Sequence, residues 1–441
     1  MSSSARLNLQ RNTALRTNRV LPTEARVRQA RIEDLFFNSV IGNDLLHGRI
    51  FDDCHPSALL CFRATCRRAY YAVEYYIRRM WNIHRFLSRY FDNPLEFRQL
   101  QAQTGMLISG SSALQFFDRT FYPGSDLDLY VPMVYREEVG NYLLDCGYTY
   151  TPHGTQNTEF HEAVWESRIV NAITSYFIPG VAGIFNFLKS KVNPATEERE
   201  WLKVQVIVSA NCPVASVLYF HSTCVMNLIS FEAAYSLYPR ATLEERKSLI
   251  CQSRSINREE AIDKYRQRGW ELINGIEGFH DAKLFHVSLP NSRVPSATRW
   301  VGDRHCWTMQ LDTSGIMLRS LQSTPRSKPL SRDPALGNSW KVDLDRLEYP
   351  YKASMTFTPV QSPFLYFGYI CGTDQVLQAI CSSLPLLRAP ERPTSNLPFS
   401  AQMQTWIFYD EEFVAACRAY FDYSNSLQII VASFPRRTRL R

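Results

Sequence analysis

The sequence predicts an α+β fold in three parts: a helical N-terminal module, a mixed sheet with helices, and a strand-containing C-terminal region. Three observations carry this. Residues 31–100 place apolar side chains at helical spacing. From Gly105 onward, short apolar runs alternate with helical segments. The last hundred residues mix strand-like runs with one helical stretch. The chain has 441 residues, room for about two to four domains. Its 45% hydrophobic and 21% charged content excludes wholesale disorder and collagen-like or coiled-coil structure.

The elements follow in order. Residues 1–31 read as a disordered basic arm. A helix starts at Pro56, with apolar residues at 59, 60, 62 and 66; a second spans Ala69–Met80, a third Ile83–Phe91, and Pro94 opens another. Met106-Leu107-Ile108 is a buried strand by length and flanks. Ser111–Arg119 reads as a helix, Leu127–Pro132 as a strand, and Tyr135–Gly147 as a helix stopped by glycine. Ala182–Leu188 and Leu202–Val208 form a hairpin-like pair. Helices return between Ser222 and about Glu271, one of them opened by a Thr242-x-x-Glu245 capping box. Arg299–Arg304 is a turn before the strand Trp307–Leu311, and 313–340 is a loop. Tyr351–Pro359 and Gln428–Phe434 are strands, and Glu411–Phe421 a helix.

Charge is uneven. Seven arginines lie in residues 1–31 and four in 435–441, against Glu24 alone. They exceed the whole net charge of +7, so the body is slightly acidic. Such a body matches a phosphate backbone poorly, and nucleic-acid binding by the folded part is not expected. The eleven cysteines include no CxxC pair. Their odd number and the lack of a signal-peptide pattern point to free thiols in a reducing, intracellular setting, cytoplasmic or nuclear. The Arg- and Ser-rich start has transit-peptide composition but lacks an apolar face, which leaves mitochondrial import as the lesser reading. The best membrane-span candidate, Asn171–Leu188, is interrupted by Pro179, two glycines and polar groups, so no membrane contact is expected.

The chemistry concentrates in Leu107-Ile108-Ser109-Gly110-Ser111-Ser112 and Gly124-Ser125-Asp126-Leu127-Asp128-Leu129-Tyr130-Val131. A Gly-Ser turn between a strand and a helix exposes backbone N–H groups that suit a phosphate, and glycine lets it approach. Asp126 and Asp128 stand two residues apart on a strand and share a face. Two such carboxylates repel unless a cation bridges them, and carboxylates plus phosphates suit magnesium. Ser222 or Thr223 reads first as a helix cap, with His221 and Asn227 as lesser site candidates. Lys189 and Lys191 read as a solvated strand face, with phosphate contact as the lesser reading.

The strand, Gly110-Ser111, helix and Asp126-x-Asp128 together resemble the polymerase-β-type nucleotidyltransferase superfamily over residues 105–275. The resemblance implies metal ligation and catalysis by Asp126 and Asp128, and nucleoside-triphosphate phosphates held by Gly110, Ser111 and Ser112. It also implies a third carboxylate, where this chain has Gln205 in Leu202-Lys203-Val204-Gln205-Val206. Gln is neutral and cannot offset the charge of a second divalent ion, so the resemblance implies a degenerate site with Mg²⁺-nucleotide binding retained.

Residues 41–75 (Ile41-Gly42-Asn43-Asp44-Leu45-Leu46, Ile50, Pro56, Leu59-Leu60, Arg63, Thr65-Cys66-Arg67) resemble an F-box, with Gly42 in place of the usual proline. That resemblance implies docking on a cullin-ligase adaptor. The combination, continuing through His221-Ser222-Thr223 and Tyr238-Pro239-Arg240-Ala241-Thr242, resembles a basidiomycete family pairing an F-box-like start with a nucleotidyltransferase-like core. The expected division is a tail at 1–31, an F-box-like module at 32–100, a nucleotidyltransferase-like core at 101–275 and a mixed region at 276–441. Two functions follow as expectations: a nucleotidyltransferase-like protein, or a ubiquitin-ligase substrate receptor with a non-catalytic core.

Overall fold

The computed structural model describes residues 31, 35–170, 180–192, 199–251, 258–292, 297–317, 333–389 and 408–433. The readings of a basic arm at 1–30, of most of the 313–340 loop and of the arginine-rich end lie outside the described residues. Contacts divide the chain into two units, one ending at Met80 and the other starting at Trp81. Among the described residues no helix is long and apolar enough to cross a membrane.

The first unit is helical. A wide turn at Phe36–Ile41 leads into α1 (Asp44–Asp52), α2 (Pro56–Arg63) and α3 (Arg67–Met80). Asn43 starts α1 by accepting from the Leu45 and Leu46 amides at 3.0 and 3.3 Å, which satisfies two orphan donors of the first turn. Pro56 opens α2, where a missing N–H costs nothing. The three helices bury Phe51, Leu59, Val73 and Tyr76 together. Tyr76 meets Phe51 edge to face at 5.3 Å and spends its hydroxyl on Asp52 at 2.7 Å.

The second unit begins with α4 (Ile83–Leu87) and α5 (Pro94–Thr104), which ends on Gly105 in the left-handed region, φ +67°. β1 (Leu107–Ser109) runs into α6 (Gly110–Asp118), and β2 (Leu127–Pro132) into α7 (Arg136–Asp145). Then come β3 (Thr149–Thr151), α8 (Phe160–Val170), β4 (Val181–Val192), β5 (Arg199–Ser209) and α9 (Pro213–Leu218). β6 (Asn227–Ile229) and β7 (Ala233–Ser236) follow. β8 (Lys247–Leu249) pairs in parallel with β9 (Glu271–Ile273) across α10 (Arg258–Gln267). After α11 (Phe279–Leu284) and β10 (Arg299–Trp300), β11 (Trp307–Gln310) closes an eight-stranded sheet of order β11-β7-β6-β1-β2-β5-β4-β3. Only β2 and β5 run parallel within it. Their register sets Asp128 beside Gln205, while the antiparallel β1–β2 register sets Ser109 beside Asp128.

β12 (Ser339–Leu344), β13 (Ala353–Thr356), β14 (Thr358–Val360) and β15 (Tyr369–Cys371) make smaller sheets, with β10 added to the β12–β13 pair. α12 (Asp374–Ser383) and α13 (Asp410–Ser433) complete the unit. The molecule is therefore mixed α and β, as expected. Buried polar groups pin this region: Asn338 donates to the Pro334 and Ala335 carbonyls and accepts from the Ile370 amide. Asp410 accepts from the Tyr366 and Phe367 amides and the Tyr369 hydroxyl.

The structure corrects four local readings. The described end of the expected 313–340 loop is a 3₁₀ turn, Pro334–Gly337, followed by the start of β12 at Ser339. Among the described residues between Ser222 and Glu271, only α10 is a long helix; β6, β7 and β8 take the place of the others. β6 and β7 are buried on both faces, and a doubly buried strand and a buried helix share their unalternating pattern. Thr242 opens no helix: it lies buried inside a wide turn, Arg240–Glu244, and Glu245 pairs with Arg240 and His280 instead. The run from Gln428 to Ser433 continues α13 and is not a strand; an established helix overrides the β-branched propensity of Ile429, Ile430 and Val431. All eleven cysteines are free thiols; six are buried, and Cys61 and Cys66 are exposed.

One ion pair of the second unit is fully buried. Arg299 donates to both Asp303 oxygens, at 2.5 and 3.2 Å, and to the Leu237 carbonyl at 2.9 Å. Both side chains are 1% exposed. Burial alone would raise the Asp303 carboxyl, but Arg299 overrides it and holds the group below its ordinary range. Removing one partner strands the other charge in the core. Asp303→Asn is expected to cost about 3–5 kcal/mol in urea unfolding; a loss below about 1 kcal/mol would contradict this placement of the pair.

Candidate functional site

The site begins where β1 turns into α6. Gly110 holds φ +67°, and a Cβ there would lie 2.4 Å from Asp128 Oδ2. Only glycine serves both the backbone angle and the approach of β2. The turn delivers the N-terminal amides of a nine-residue helix to the same end of the sheet. Ser112 faces inward: its hydroxyl donates to the Asp126 carbonyl at 2.5 Å. Gln115 holds the following loop by donating to Ser125 Oγ at 2.9 Å and accepting from the Tyr122 amide at 2.7 Å. These bonds fix Asp126 just before β2.

Alternation then sets the face. Asp126 and Asp128 project to one side, and the parallel neighbour β5 adds Lys203 and Gln205. Lys203 Nζ lies 2.8 Å from Asp126 Oδ2. Asn186 of β4 stands opposite Gln205. The hydrogen-bonding surroundings of the Gln205 amide allow it either of two orientations. In one, its nitrogen donates to Asn186 Oδ1 at 2.7 Å. In the other, the nitrogen donates to Asp128 Oδ1 at 3.1 Å, and the oxygen accepts from Lys203 Nζ at 3.1 Å and, with the Asn186 amide turned as well, from the Asn186 amide group at 2.7 Å. The second leaves no acceptor facing a carboxylate, and it joins Asp126, Lys203, Gln205 and Asp128 in one chain of contacts.

Asp126, Asp128, Tyr130 and Gln205 border a cleft of about 330 Å³, with Phe220, Lys264 and Tyr265 also in its lining. Burial, and then Arg268, lower the Lys264 ammonium, while Asp128 and Asp126 favour its charge. Burial first, and the Asp126 carboxylate second, push Asp128 up to about 7, although part of its surface stays open to the cleft. A depression of 460 Å³ beside Glu137, His161 and Trp165 is larger, but its titratable pair, His161 and Glu137, is exposed and satisfied internally at 3.1 Å.

The structure brings Gly110, Ser111, Asp126, Asp128, Gln205 and His221 to one cleft. His221 lies at its edge, its ring 5.6 Å from Tyr265. Ser112 is adjacent but structural. Asn227 is buried; its side chain donates to the Cys224 carbonyl at 2.7 Å, and its own carbonyl accepts from Ser109. Lys189 and Lys191 turn elsewhere, Lys189 to the Cys146 carbonyl and Asp92, Lys191 to the Ser88 and Arg89 carbonyls. Sequence reasoning missed Lys203, Lys264 and Asn186. Lys203 was accessible, since it shares the strand face of Gln205 by the two-residue period; Lys264 is brought in only by the tertiary fold. No family model, curated protein or solved structure matches the chain.

Asp128 sets a testable pH dependence. Its folded-state value lies above the ordinary 3.8, so the fold favours the neutral acid. The cost of ionising it is absent below the ordinary value and full above about 7. Asp128→Asn should therefore stabilise the chain at pH 8, by about 1–3 kcal/mol once partial exposure is allowed for, and not at pH 3.5. Melting curves at the two pH values check this; an equal effect at both would contradict it.

Proposed function

We propose that the chain is a degenerate nucleotidyltransferase-like protein that binds a nucleoside triphosphate with Mg²⁺ in the 330 Å³ cleft. The observation that carries the reading is the close fit of the Gly110 turn against Asp128, which leaves no room for a Cβ. It brings helix N–H groups and a carboxylate pair to one point, the combination that triphosphate and a hard divalent ion need. The eleven free thiols support an intracellular setting.

The donor set fits one divalent ion. Asp126 and Asp128 would hold it through oxygen, with the Gln205 amide as a neutral neighbour. The ion would neutralise charge on the phosphates and on a transferring nucleotidyl group. The amides of Ser111 and its helix neighbours would donate to phosphate oxygens, and Lys264 would face them across the cleft. A pair of ions stabilises both attacking and leaving oxygens; Gln205 withholds the third anionic ligand that such a pair calls for. Binding should therefore survive better than transfer to an acceptor hydroxyl.

Thermal melting with Mg²⁺ and each nucleoside triphosphate tests the reading. Ligand at 100 times its Kd should add about 2.7 kcal/mol, and Asp126→Asn/Asp128→Asn should abolish the shift. No shift with any nucleotide would overturn it.

A second reading rests on the first unit. Its helices leave Leu45 79%, Leu46 49%, Ile50 47% and Leu60 38% exposed. Apolar residues in such number on short helices suit a protein partner, and the F-box resemblance names the cullin-ligase adaptor. Leu45→Arg/Ile50→Arg in the full chain should then abolish co-purification of the adaptor while nucleotide-dependent melting stays unchanged. Absence of adaptor from the wild-type preparation would count against it.

A further inference from the structure

We infer that Lys203 is a built-in counter-cation that competes with the divalent ion for Asp126, so that the cleft admits the ion only by displacing its own lysine. The inference rests on the nucleotide-binding reading and concerns how that site is controlled.

Two carboxylates on one strand face need positive charge, and the chain supplies it from the neighbouring strand. Lys203 Nζ sits 2.8 Å from Asp126 Oδ2, a short charge-assisted contact. Parallel pairing puts Lys203 level with Asp126, just as Asp128 is level with Gln205. The ammonium thus lies among the oxygens that would ligate a metal. In the chained amide orientation, it also donates to Gln205 Oε1 at 3.1 Å, while the Gln205 nitrogen reaches Asp128 Oδ1. One oxygen of each carboxylate, and the Gln205 oxygen, are then engaged by Lys203 or by Gln205.

The lock is breakable. The Lys203 side chain is 36% exposed and that of Asp126 27%, so the pair is hydrated enough to exchange. Lys203 is a flexible point charge that can swing from Asp126 toward phosphate once an ion arrives. Lys264, facing the same two carboxylates from α10, leaves the unliganded cleft with two acids and two bases. The two lysines already supply positive charge to the cleft without metal, and metal entry must be paired with the arrival of negative phosphate.

Mn²⁺ is the probe, followed by the electron paramagnetic resonance of the free ion. The full chain is compared as wild type, Lys203→Met, Lys203→Arg and Lys203→Met/Asp126→Asn. Lys203→Met should bind Mn²⁺ on the order of tenfold more tightly than wild type. Lys203→Arg, which keeps the charge, should stay near wild type, and the double variant should lose the gain. Far-ultraviolet circular dichroism without metal checks that each variant is folded. Equal Mn²⁺ affinity in wild type and Lys203→Met would overturn the competition and leave the nucleotide site standing. A gain that persists in the double variant would also overturn it. No Mn²⁺ binding by any folded variant would instead sink the metal-binding reading, and this inference with it.

Discussion

The cleft is organised around the repulsion between Asp126 and Asp128. Their place on one face, at the head of β2 and within it, is fixed by the two-residue period and cannot relax without a register slip. The surroundings answer that repulsion in two ways. Lys203 and Lys264 bring positive charge, and Asp128 shifts toward its neutral form. Neither answer is needed for a well-packed sheet, since apolar residues at the same positions would stabilise it more cheaply. A half-buried pair of acids retained at such cost points to function, because strained electrostatics concentrate where ligands bind.

The sheet turns that local charge into a usable site. β1, β2 and β5 lie side by side, so the glycine turn, the acids and the Lys203–Gln205 face converge without any long loop. The tethers from Ser112 and Gln115 hold the segment that carries Asp126. Further lining comes from the Phe220–Tyr265 region, which β8 and β9 hold together as a parallel pair around α10. Arg98 braces the unit from behind: its guanidinium reaches the Phe231 carbonyl at 2.5 Å and also contacts the Asp312 carbonyl.

Much of the site was legible in the sequence because its determinants are local. The apolar strand, the Gly110-Ser111 turn and the Asp126-x-Asp128 alternation lie within twenty-two residues of one another, and strand β2 appears at Leu127–Pro132 as read. The Ala182–Leu188 and Leu202–Val208 runs do pair antiparallel. The errors came where burial is two-sided. β6 and β7 have no polar face to betray their period, and α13 continues past Phe421 through residues whose propensity favours strand. Lys264 was invisible for another reason: nothing near it in sequence resembles a site, and only the packing of α10 brings it to the cleft.

The most direct measurement is a crystal structure of the chain grown with Mn²⁺ and a non-hydrolysable nucleoside triphosphate analogue, using the anomalous signal of the ion. The account predicts one Mn²⁺ held by Asp126 and Asp128, phosphate oxygens on the amides that follow Gly110, and Lys203 moved off Asp126. Nucleotide bound elsewhere, or a cleft unchanged with the Lys203–Asp126 contact intact, would contradict it.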